Sequence, residues 1–187
     1  MQDGVNKLPK LLRTYATGTE PPDHCTIVDA ARATCATATF FPPATFQYMY
    51  GVPVTYLDGR LNYNNPTQLA VDEADSIWRD REIGCIVSIG TGISSLVKFQ
   101  GNKLELARML VNISTDCQRV DQQMDQRFHR RTGKYFRFDP PQDLAKIGLD
   151  EWKKLDEVGR LAVAYIEGAK VRFDDCVAAI THPVRAL

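Results

Sequence analysis

The chain has no apolar run approaching the ~20 residues that span a bilayer. Its opening stretch, "MQDGVNKLPKLL", also lacks the uninterrupted apolar core of a secretion signal. A soluble cytoplasmic protein is the simplest expectation from these two gaps. Net charge is missing as well, since 23 basic residues stand against 23 acidic ones. With no net field to draw in nucleic acid or an anionic surface, partners have to be argued from individual sites. Histidine is scarce: His24, His129 and His182 show neither HxxxH nor HxH spacing, so no metal centre is expected and each reads as a surface or capping residue. The five cysteines (Cys25, Cys35, Cys85, Cys117 and Cys176) are odd in number and contain no CxxC pair. That excludes a disulfide framework or zinc knuckle as the reading and casts them as small buried residues. Nothing in the pattern asks for a cofactor.

What is present suggests an α/β protein. At 187 residues the chain can bury a real core, because a chain of ~150 residues hides about 70% of its unfolded surface. "TGTEPPDH" (17–24) and "FDPPQD" (138–143) read as connections rather than domain boundaries. "CTIVDAARATCATA" is Ala-rich, with Ile27, Ala30, Ala31 and Thr34 at helical spacing, which predicts a buried helix starting near Thr26. "VPVTYLDG" is a short β-branched and aromatic run. "IGCIVSIG" (83–90) is apolar almost throughout, as expected of a parallel strand covered on both faces. Between them Asn65 predicts an N-cap, Pro66 a first helical position, and Ala70, Ala74, Ile77 and Trp78 an apolar face. Strand, helix and strand make a βαβ unit.

Further on, Leu106, Leu110, Ile113, Cys117, Val120 and Met124 mark one face of a long helix stopping near Gly133. The stripe lasts barely three heptads, so a helix packed on the sheet is preferred to a coiled-coil seam. "KYFRF" (134–138) alternates like an edge strand. Trp152, Leu155, Ala162, Tyr165, Ile166 and Ala169 form a last helical stripe. Both stripes read as core rather than cofactor contacts.

Asp58-Gly59 lies between extended segments, which is first of all a hairpin signal for a type I′ turn. Two features point elsewhere: a capped helix begins within six residues of Gly59, and the next strand is of the doubly covered kind. In an open α/β sheet, polar residues just past the carboxyl end of a strand line the ligand crevice. Asp58 would occupy such a place.

The same residues carry a family resemblance. "LLRTY" (11–15), "CTIVDAARATCATATFFPP" (25–43), "YLDGRLNYNNPTQLAVDEA" (56–74) and "VSIGTG" (87–92) stand in the order and near the spacing of the second half of patatin-like phospholipase domains. The resemblance implies an incomplete three-layer α/β/α domain with a mostly parallel sheet, lacking its amino-terminal strands and nucleophile elbow. Residues 1–140 would be its carboxy-terminal portion and 141–187 a trailing helical segment. The activity implied is that of a lipid acyl hydrolase working through a Ser-Asp dyad. Asp58 matches the family's dyad aspartate and Gly59 its motif neighbour. A carboxylate against a serine hydroxyl can take its proton as the oxygen attacks an ester.

The family's other parts are an oxyanion loop and a Gly-x-Ser-x-Gly elbow. The serines are Ser76, Ser88, Ser94, Ser95 and Ser114, and none has glycine at both −2 and +2. "GTGIS" (90–94) is nearest to a Gly-rich loop, but reads as a strand-to-loop turn ahead of a phosphate cradle. The chain alone is therefore expected to be inactive. Its partner would be a lipid ester, once an upstream half completes the site, with room for peripheral membrane contact and for a homo-oligomer or complementing fragment. The alternative is a non-catalytic interaction protein keeping half a hydrolase fold, whose open strand edge invites association.

Several positions depart from the family pattern. Arg60 replaces a small residue; a guanidinium aimed at Asp58 would make it a poorer base, and a positive φ there would add strain. Arg32 to Thr39 reads RATCATAT, with Cys35 for serine and Ala38 for proline, which relaxes a helix stop. Arg32 reads as a structural ion-pair partner before a catalytic cation. Asn62, Asn64 and Asn65 read as turn and cap residues, and Asp72, Glu73 and Asp75 as a solvated helix face.

Overall fold

The computed structural model describes residues 9–17, 20–37, 40–47, 51–92, 117–129, 133–140, 144, 146–148 and 150–181. The elements form two compact units, Met1–Asn64 and Asn65–Leu187. Both helices and strands are present, so the class is α/β as the sequence predicts.

In the first unit, helix α1 (Ile27–Thr34) is started by a capping box. Thr26 accepts from the Asp29 N–H while the Asp29 carboxylate accepts from the Thr26 N–H, which satisfies two donors that a helix start leaves orphaned. Strands β1 (Ala44–Gln47) and β2 (Pro53–Tyr56) pair antiparallel, Ala44 opposite Tyr56 and Gln47 opposite Pro53. A four-residue helix, α2 (Arg60–Tyr63), follows. The core is small: Ala33, Ala36, Ala44 and Tyr56, with Leu12, Phe46 and Val54 against them. Phe46 stacks on Tyr56 with ring centroids 4.6 Å apart.

The predicted burial of α1 fails. Ala33 is the buried residue of the helix, while Ile27 is 86% exposed. Among the described residues, α1 packs through the side that carries Ala33, against β1 and Tyr56. The stripe chosen from the sequence is displaced because alanines on several faces leave the direction of burial underdetermined. Arg32 is exposed, with Asp29 at 3.9 Å one turn earlier.

In the second unit, α3 (Thr67–Ile77) precedes β3 (Ile86–Ile89), α4 (Gln118–Phe128) precedes β4 (Tyr135–Phe138), and a 3₁₀ turn (Trp152–Lys154) leads into α5 (Leu155–Gly168) and α6 (Lys170–Thr181). β3 and β4 pair parallel, Ile86 opposite Tyr135 and Ile89 opposite Phe138. β2 is bonded to β1 and β3 to β4, so among the described residues the strand-helix-strand segment does not close into one sheet. Of the long stripe predicted to begin at Leu106, the part before Cys117 lies outside the described residues. Val120, Met124 and Phe128 of α4 are buried with Val71 of α3. His129 is the C-cap of α4.

Among the described residues β4 is bonded to β3 alone, an edge strand as its sequence suggests, yet both of its faces are covered. Tyr135 packs with α3 and α4, whereas Phe136 and Phe138 pack on Cys176 and Phe173 of α6. β3 departs the other way: Val87 is 42% and Ile89 78% exposed. These two share a face with Phe136 and Phe138, and α6 covers the β4 half of it. In α3 the buried residues are Thr67 and Val71, not the predicted Ala70 face. Of the cysteines, only Cys176 is fully buried and Cys35 is exposed.

Candidate active site

Asp58 follows β2 by two residues, where the chain turns from strand to α2. Its position is fixed by three bonds within the first unit. The Asp58 N–H donates to the Ala36 carbonyl (3.1 Å), tying the exit of β2 to the segment after α1. One carboxylate oxygen, Oδ1, accepts from the Arg60 N–H at 3.0 Å. The other, Oδ2, accepts a short hydrogen bond from the Thr37 hydroxyl. The side chain is half-buried. It is a carboxylate held from both oxygens, each with a lone pair to spare for a further donor.

Asp58-Gly59 does not form the hairpin turn that its sequence suggests. Gly59 sits at φ −67°, ψ −5°, in the right-handed helical region, whereas a type I′ turn needs positive φ. The turn of the β1–β2 hairpin lies before Asp58. Gly59 accepts from the Tyr63 N–H at 3.0 Å and opens α2. A Cβ there would meet nothing closer than the Tyr63 Cβ at 3.9 Å. Arg60 is helical, so the strain expected of a positive φ does not arise. It reaches Asp58 through its main-chain N–H, which stabilises the carboxylate by hydrogen bonding.

Thr37 is the partner that sequence reasoning overlooked. It lies 21 residues from Asp58, inside the RATCATAT stretch, and no spacing rule links the two. Cys35, two residues before it, is exposed.

A second polar constellation lies in the other unit, at the carboxyl ends of β3 and β4. Arg137 is buried, its side chain 7% exposed. It donates to Ser88 Oγ at 2.9 Å and to Asp139 Oδ2 at 2.7 Å. Ser88 Oγ lies 2.6 Å from Thr67 Oγ1, whose own partner is Asn65 Oδ1 at 2.6 Å. The N-cap of α3 is Pro66, one residue later than the sequence predicts, but Asn65 still accepts from the Thr67 N–H at the helix start and its amide donates to the Cys117 carbonyl at 3.2 Å. Asp139 Oδ1 accepts from the Gly92 N–H at 2.9 Å. The chain from Asn65 to Gly92 fixes the turn after β3, and it engages Ser88 on both sides. Ser88 is buried and committed to that network. Ser76 is exposed on α3, and Ser94, Ser95 and Ser114 lie outside the described residues.

Comparison with known proteins finds phospholipases among the relatives of this chain. The chain is 34% identical over 145 residues to calcium-independent phospholipase A2-gamma of Homo sapiens, a match covering 74% of this chain and 17% of that protein. It is 35% identical over 144 residues to the Mus musculus protein of the same name, covering 74% of this chain and 18% of that one. To Phospholipase A I of Arabidopsis thaliana it is 34% identical over 107 residues, 53% of this chain and 8% of that protein. The chain therefore spans less than a fifth of the length of these relatives. No family model matches the chain, and no solved structure matches it.

Proposed function

We propose, for a chain that is a homologue of the patatin-like phospholipases, that Asp58 is the general base of a Ser-Asp dyad acting on lipid esters. The serine and the oxyanion donors would come from polypeptide other than these 187 residues, because no Gly-x-Ser-x-Gly occurs in them. Residues 1–140 would be the carboxy-terminal portion of a three-layer α/β/α domain and 141–187 a trailing helical segment. The chain alone turns over no ester on this reading. It acts in the cytoplasm, touching lipid peripherally.

The chemistry needs only a fixed carboxylate. Asp58 takes the proton of the serine hydroxyl as its oxygen attacks the ester carbonyl, then returns that proton to the departing alcohol. In the second half it takes a proton from water, whose oxygen attacks the acyl carbon, and the serine leaves reprotonated. The observation that carries the proposal is the clamp on Asp58, with Thr37 on one oxygen and the Arg60 N–H on the other. These donors fix the direction in which the carboxylate presents its remaining lone pairs. The coding sequence upstream of Met1 tests it: an in-frame Gly-rich loop followed by Gly-x-Ser-x-Gly supports the reading, and an intact transcript without them counts against it.

A second reading is favoured by the open face of β3. Val87 and Ile89 are exposed there, and no described strand lies beyond β3. A non-catalytic interaction protein would use that edge to pair with another chain, a second copy included. Sedimentation of the purified chain separates the two: self-association unchanged by a complementing half supports interaction, and loss of self-association on adding that half supports the hydrolase.

A further inference from the structure

Cys85 and Cys176 are far apart in sequence and adjacent in the second unit. Cys85 immediately precedes β3, and the period-two alternation of strand side chains sends it to the same face as Val87, the face that α6 covers. Cys176 is the fully buried contact of α6, packed with Phe136 and Phe138, and Cys85 lies against that cluster. Phe173, one turn before Cys176, stacks on Phe138 with centroids 4.1 Å apart and so fixes the helix on the strand. Cys85 and Cys176 thus share one apolar cluster between β3, β4 and α6. Neither takes part in the Asp58 site.

We propose that Cys85 and Cys176 form a redox-modifiable dithiol, which a peroxide closes into an intramolecular disulfide tying α6 to the strand β3. Exposure sets the order of events. Cys85 is half-buried and can meet a small oxidant, whereas Cys176 is 4% exposed and is reached through Cys85. Burial, and then the neighbouring Cys176, push the Cys85 thiol above its ordinary value. Because the thiolate is the reacting form, the step is slow at neutral pH rather than immediate.

The chemistry balances with hydrogen peroxide as the oxidant. Cys85 gives up its proton, and its sulfur attacks one peroxide oxygen. The O–O bond breaks, and the hydroxide released takes up a proton and leaves as water. The Cys176 sulfur attacks the resulting sulfenic acid, the S–O bond breaks, and a second water departs with the Cys176 proton. The two sulfurs together lose two electrons, and the peroxide gains them. Packed in one cluster, the two side chains would close to the bond length of about 2.05 Å by rotamer adjustment. The closed loop would stabilise the folded chain, since it removes conformations from the unfolded one.

The test uses the full chain, treated with hydrogen peroxide, alkylated and mapped by mass spectrometry after digestion. The expected result is a Cys85–Cys176 linked peptide, a loss of two titratable thiols, and a thermal midpoint raised by several degrees that a reductant reverses. Cys85→Ser and Cys176→Ser should each abolish the link and the shift, while Cys35→Ser leaves both. Linkage of another pair, disulfides between chains, or a Cys85 oxidised beyond sulfenic acid with Cys176 still alkylatable would overturn the proposal. So would an equal yield of the same pair from chain held unfolded in denaturant, a control independent of whether the variants fold.

Discussion

Thr37 donates its hydroxyl hydrogen to Asp58 Oδ2, joining the segment after α1 to the exit of β2. The bond ends on a carboxylate, so it is worth more than a neutral one, about 1.5–3 kcal/mol. Thr37→Val should lower the stability of the chain by an amount in that range in urea unfolding, and Thr37→Ser should recover most of it. An unchanged midpoint in the valine variant would show that the hydroxyl does not hold the aspartate.

Gly59 makes no use of glycine's freedom in this structure. Its φ is negative and the space beside it is open, so Gly59→Ala should stabilise the isolated chain by about 0.4–1 kcal/mol through the unfolded state. A loss of stability would show that the turn samples a conformation closed to alanine.

Gly90 is the opposite case. A Cβ there would collide with Arg137 Nη2 and Asp139 Oδ1. Both atoms are held, Arg137 Nη2 by Asp139 Oδ2 and Asp139 Oδ1 by the Gly92 N–H, so they cannot simply swing away. Gly90→Ala should cost about 1–3 kcal/mol, the usual range for an overpacked core. Measured against Gly59→Ala in the same denaturant series, the two alanines should move the midpoint in opposite directions.

The two glycines mark how far the sequence could be read. Thr26 was legible as a helix start, and the start of α3 to within one residue of Asn65, because a cap is a local matter of two or three residues. The likeness to phospholipases was legible as four ordered blocks. Which face of α1 or α3 is buried was not, because an alanine-rich helix presents several equally apolar sides and the neighbour decides. Nor was Arg137, a charge inside "KYFRF" whose burial is eased by Ser88 and Asp139, which accept from Nη1 and Nη2 from outside that stretch. The parallel pairing of β3 with β4 and the bond from Thr37 to Asp58 are non-local, and no pattern in one strand announces them. Asp58 itself stood out from the sequence through its place after a strand and through the family resemblance.

Alkaline titration should expose Tyr135. Burial, and then the Asp121 carboxylate that accepts its proton at 2.7 Å, push the phenol well above its ordinary value. The folded chain therefore holds this proton more tightly than the unfolded one. The stability it contributes is complete below the unfolded-state value of about 10 and is lost as pH rises beyond it. Tyr135→Phe should flatten that alkaline loss and cost about 1 kcal/mol near neutrality. Wild type and variant losing stability in parallel above pH ~10 would remove Tyr135 as the cause.

The most direct measurement of the proposed chemistry is ester turnover by this chain combined with a patatin-like amino-terminal half that carries the Gly-rich loop and the Gly-x-Ser-x-Gly serine. With a short-chain ester as substrate, the mixture should turn over while either part alone does not, and Asp58→Asn should slow it by about 10²–10⁴-fold, the span expected of a lost general base. Turnover that is the same with asparagine at position 58 would contradict the account.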